Sequence, residues 1–150
     1  FFKQKTAYEI YQCDWSSDVC SSDLTTIDRD LSLANDTILN LSDLIKKYPN
    51  SEYVKEAKEK RTATIKMLAE KEQYIADFYF KREIYDSALG RYEALYKNYS
   101  GLGFDAKALS RIVISAKKID DTPKAQKYLN ILAKDFPGSS ELRTAEKEMK

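Results

Sequence analysis

The chain has 150 residues, with 25 basic and 24 acidic side chains and no histidine. The two signs are intermixed, so there is no dense basic face of the kind that grips nucleic acid. No run approaches the ~20 apolar residues of a membrane-spanning helix, and four glycines and three prolines leave long stretches free for helix.

Residues 1–24 stand apart from the rest. Lys3–Ile10 and Asp14–Leu24 back-translate, in one reading frame, to sequences that resemble the two constant arms of a widely used sequencing-library adapter. Tyr11, Gln12 and part of Cys13 would then be the variable index between the arms. Phe1–Leu24 is therefore read as an artefactual segment outside the fold, to be set aside like a cloning scar. Cys13 and Cys20, the only cysteines, fall within it, so no disulfide or metal pair is read from them. Without its two lysines and four acids, residues 25–150 keep 23 basic and 20 acidic side chains. They form one expected domain, large enough to bury a core.

In chain order, Leu33, Ile38, Leu41, Leu44, Ile45 and Tyr48 recur at helical spacing and predict a helix over about 32–48. Pro49 stops it, and Asn50 and Ser51 are candidate caps for the next helix. That helix runs over about 52–82, without glycine or proline. Val54, Ala57, Ile65, Leu68, Ile75 and Tyr79 form its main stripe, and Met67, Tyr74 and Phe78 a second face. The segment Tyr74–Phe80 is apolar nearly all round, so it is expected to be packed on two sides. A turn near 83–86 precedes a helix over about 87–98, which Gly101-Leu102-Gly103 ends. The next helix, about 105–119, carries Ala108, Leu109, Ile112, Val113, Ala116 and Ile119 on one face. Thr122 and Pro123 read as cap and first position of a helix that stops at Phe136-Pro137-Gly138. A polar amphipathic piece, Glu141–Met149, suits the end of a stack.

Three of these helix ends repeat one pattern: apolar, apolar three residues on, aromatic four further on, then a turn. The copies are Leu41-Leu44-Tyr48, Tyr92-Leu95-Tyr99 and Leu129-Leu132-Phe136. A recurring helix-then-stop unit predicts an all-α, tetratricopeptide-like helical solenoid of antiparallel helix pairs, in which no unit buries its apolar face alone. Ala76, Tyr79, Ala88, Tyr92 and Leu95 have the small/large spacing such repeats use where paired helices touch. Ala125, Leu129 and Leu132 repeat its second half.

Residues 25–150 resemble the C-terminal half of the BamD (ComL) family of outer-membrane assembly lipoproteins. The resemblance is carried by Ile27–Asp30, Leu44–Tyr53, Glu72–Tyr79 and Arg82–Glu93, and by the long helix after the Pro49-Asn50-Ser51 turn. It implies a lipid-anchored scaffold at the periplasmic face of the outer membrane of a Gram-negative bacterium. It further implies protein partners: the periplasmic domain of the barrel insertase BamA, the other lipoproteins of that machine, and unfolded β-barrel clients. On this reading the chain starts within the third of five repeats, without the signal peptide, the lipidated cysteine and the first repeats. The helix over 31–48 would then lack its upstream neighbour and expose Leu33, Ile38 and Leu41. Family members open the helix that meets BamA with an Asn-Arg-x-Glu-like segment, here Gly90-Arg91-Tyr92-Glu93. Arg91 and Glu93 are accordingly the candidate partner-binding residues. Gly90 departs from the pattern, and Ser100 stands where a proline is expected, which suggests a looser turn before Gly101.

No catalytic, cofactor-binding or metal-binding residues are assigned. Without histidine, and with both cysteines set aside, chemistry would fall to carboxylates, lysines or hydroxyls. The acids are scattered over solvated helix positions, and Asp28 and Asp30 read as loop or cap residues. Another tetratricopeptide adaptor, a periplasmic cell-division coordinator or a peptide-binding co-chaperone, is the alternative reading.

Overall fold

The computed structural model describes residues 32–150. The expectations for residues 1–24, the Cys13–Cys20 pair and the Ile27–Asp30 stretch lie outside them. The described residues form six helices: α1 (Ser32–Lys47), α2 (Val54–Lys81), α3 (Tyr85–Asn98), α4 (Asp105–Lys118), α5 (Thr122–Asp135) and α6 (Ser140–Met149). Successive helices pack as antiparallel neighbours, α1 on α2, α2 on α3, α3 on α4 and α4 on α5, and α6 folds back mainly on α4. This is the solenoid that the repeated helix ends predict.

Helix ends follow local chemistry, in places not the chemistry expected. Pro49 closes α1 as predicted, but neither Asn50 nor Ser51 caps α2. Two consecutive turns intervene, with Ser51 N–H donating to the Tyr48 carbonyl and Val54 N–H to the Ser51 carbonyl, both at 3.1 Å. They use up the polar residues before the helix begins, and Tyr53 takes the cap position without a side-chain bond. At α5 the cap is Asp121, not Thr122: its carboxylate accepts from Lys124 N–H at 3.1 Å, and Pro123 follows inside the first turn. Ser139 caps α6 by accepting from Leu142 N–H at 3.1 Å.

Glu83 and Asp120 end α2 and α4 in the left-handed conformation, with φ of 61° and 62°. Each end closes by the same pair of bonds. Ile84 N–H reaches the Tyr79 carbonyl and Glu83 N–H the Phe80 carbonyl; Asp121 N–H reaches Ala116 and Asp120 N–H reaches Lys117. This doubly bonded C-terminal motif normally takes glycine at the left-handed position. Before α4, the turn expected to be loose is pinned instead, because the buried Asp105 carboxylate accepts from Gly101 N–H at 2.9 Å.

One continuous core joins α2 (Ala69, Ala76), α3 (Ala88, Leu89, Tyr92, Leu95), α4 (Ala108, Leu109, Ile112, Val113, Ala116), α5 (Ala125, Leu132) and α6 (Leu142, Ala145). The helix enclosed on all sides is α4, where every residue from Ile112 to Ala116 is buried. The end of α2 is not enclosed. Met67, Tyr74 and Phe78 lie on a flank that remains exposed, and the Arg82 guanidinium covers the Phe78 ring at 3.7 Å. Periodicity finds an aromatic face but does not say whether a neighbour covers it. In α1, Leu33 and Leu39 are exposed, whereas Ile38 and Leu41 are half-buried, so the expected strip is only partly open.

Candidate functional site

The pairing of α2 with α3 sets the geometry around the residues singled out from the sequence. Small Ala76 and Ala88 have no exposed surface, which lets the two helix backbones approach. Tyr92 and Leu95 are buried beside them, and Tyr79 packs against the same cluster from partial exposure. In the next repeat Leu132 is buried and Leu129 packs half-buried on the core. Phe80 stands edge-on to Tyr85 and Tyr92, and the Arg111 guanidinium lies 4.2 Å over its ring.

A polar junction sits within this packing. The Tyr92 hydroxyl donates to Asp77, which also accepts from Lys107 Nζ at 2.8 Å and from Gln73 Nε2 at 3.4 Å. One carboxylate thus ties α2, α3 and α4 together. Burial opposes its charge, but the bonds from Lys107 and Tyr92 outweigh burial and hold the Asp77 carboxyl below its usual range. Burial, reinforced by the Asp77 charge, pushes the Tyr92 hydroxyl far above the ordinary tyrosine range. Sequence reasoning missed this junction. The signal available was a lone acid, Asp77, in the otherwise apolar run Tyr74–Phe80.

Arg91 and Glu93 are two residues apart on α3, hence roughly 200° apart around its axis, and they project to opposite flanks. Arg91 Nη1 donates to Glu72 Oε2 on α2 at 3.3 Å, with 47% of the arginine side chain exposed. Glu93 turns toward α5, where Lys124 Nζ lies 3.6 Å from its carboxylate. Burial, then the neighbouring Glu93 carboxylate, raises the Tyr128 hydroxyl. Glu93 is therefore engaged between two helices, whereas Arg91 is held by a single contact and remains half open to solvent. Gly90, beside it, lies inside α3 with no atom within 4 Å of where a Cβ would stand.

A cleft between α4 and α6 is lined by Lys107, Ser110, Arg111, Ser140, Glu141 and Thr144. Among the described residues, no group of three acids, histidines or cysteines is placed to hold a metal ion. Among the same residues, no helix is long and apolar enough to cross a membrane.

The family described as YfiO, outer membrane lipoprotein, matches residues 4–132. The chain belongs to this family. Relatives named outer membrane protein assembly factor BamD include one from Caulobacter vibrioides, 28% identical over 77% of this chain and 38% of the relative. One from Rickettsia prowazekii is 31% identical over 67% of this chain and 40% of the relative. One from Neisseria meningitidis serogroup B is 25% identical over 77% and 43% respectively. The chain thus spans about two fifths of the length of these curated relatives.

Proposed function

We propose that this chain belongs to a non-enzymatic, repeat-built scaffold that helps assemble β-barrel proteins into the bacterial outer membrane. It works at the periplasmic face of that membrane and docks through α3 on the periplasmic domain of BamA. Membership of the YfiO family supports this reading, as do relatives that carry the name of an assembly factor. The local observation that carries the docking surface is Arg91, a half-exposed guanidinium presented by a helix whose opposite face is locked into the core. A guanidinium grips a carboxylate bidentately, so the matching group on BamA is an acid. Glu93 enters as the residue that ties α3 to α5 and fixes the helix that presents Arg91.

Calorimetric titration with the cognate BamA periplasmic domain tests the docking. Arg91→Glu is expected to weaken binding about tenfold or more, equivalent to ~1.4 kcal/mol, with helicity unchanged. Equal affinity would end the docking proposal. Residues 1–24 are proposed to be foreign to the natural protein. The family match begins at residue 4 and so includes part of them; a genomic sequence that encodes them without interruption before Thr25 would overturn that view.

A further inference from the structure

The Arg91 guanidinium is already occupied. Its partner Glu72 is mostly covered, with 28% of its side chain exposed, and contacts only Nη1, at 3.3 Å. That leaves most of the five guanidinium N–H groups available. A half-exposed, single-contact pair of this kind shifts an equilibrium by no more than about fivefold. Nor is the pair needed to hold the helices together. One turn along, α2 and α3 are joined by the Asp77–Tyr92 bond and by the close approach of Ala76 and Ala88. The Glu72 charge, after burial, helps to raise the Tyr99 hydroxyl.

We infer that Glu72 is a built-in competitor for Arg91, holding the guanidinium in the free chain and giving it up, in whole or in part, to a carboxylate on the docked partner. This rests on the docking reading of Arg91 and deepens it. A carboxylate that offers two parallel bonds displaces one that offers a single contact, whereas a neutral or poorly aligned surface does not. The internal pair lowers affinity slightly and in exchange rejects partners without a well-placed acid.

The test is a double-mutant cycle on the full chain: wild type, Glu72→Gln, Arg91→Gln and the double variant, each titrated calorimetrically with the cognate BamA periplasmic domain, with helicity checked by circular dichroism. Arg91→Gln is expected to weaken binding. Glu72→Gln, which keeps shape but removes charge, is expected to tighten it about two- to fivefold, and the gain should vanish in the Arg91→Gln background. If Arg91→Gln leaves affinity unchanged, the docking reading falls and this inference with it. If Arg91→Gln weakens binding while Glu72→Gln leaves it equal or weaker, Glu72 positions the guanidinium and does not compete for it; the inference alone is overturned. A gain that persists in the double variant reports bulk charge and overturns it as well.

Discussion

The Tyr92 hydroxyl oxygen is buried with its ring and bonded to an α2 carboxylate that also holds Lys107 of α4. Tyr92→Phe keeps the ring packing against Phe80 but strips one bond from the Asp77 junction. A hydrogen bond to a charged group of this kind contributes about 1.5–3 kcal/mol, and urea unfolding should show a loss of that order. The pH dependence has two limbs. Asp77 titrates below its unfolded value of 3.8 in the folded chain, so its contribution is present above that pH and is lost as pH falls through the lower, folded value. Tyr92 titrates above its unfolded value of 10.0, so its contribution is complete below pH 10 and declines as the solution becomes more alkaline. Unfolding followed against pH should therefore show Tyr92→Phe losing part of the alkaline limb. Burial also raises Tyr96, Tyr99 and Tyr128, so the remainder persists.

At the scale of the helices, α3 contains an avoidable weakness. Gly90 is exposed in mid-helix with open space around it. Gly90→Ala should raise stability by about 0.5–1 kcal/mol in thermal or urea unfolding, because alanine gives up less backbone freedom on folding. Most helix positions could be read from the sequence because their stops are chemically loud: Pro49, Gly101 and Pro137-Gly138 leave a helix no way to continue. The closures at Glu83 and Asp120 are quiet by comparison. Each puts an ordinary acid in a left-handed position, and only the surrounding packing reveals why the chain turns there. The cap of α5 is hidden for a similar reason, since Asp121 and Thr122 both offer an oxygen and only the backbone geometry selects between them.

For the whole molecule, the repeats predicted which faces meet but not the rotation of each helix about its axis. Ala76, Ala88, Tyr92 and Leu95 could be placed at the seam because small and large residues alternate there. The pairs Glu72–Arg91 and Asp77–Lys107 could not, because a turn of some tens of degrees decides whether two charges touch. Nor does spacing identify α4 as the enclosed helix; that depends on α6 folding back over it. Deleting residues 140–150 should therefore be costly. Leu142 alone accounts for about 2–3 kcal/mol of burial, and the melting temperature followed by circular dichroism should fall accordingly. The 28 residues of α2 are twice the 14 of α3, a rod of roughly 42 Å at 1.5 Å per residue. Ser42 of α1 touches it at Arg61, and α3 grips it at Glu72 and Asp77. A single uninterrupted helix thus spans the distance between the α1 contact and the helix that carries Arg91, with no loop between the two.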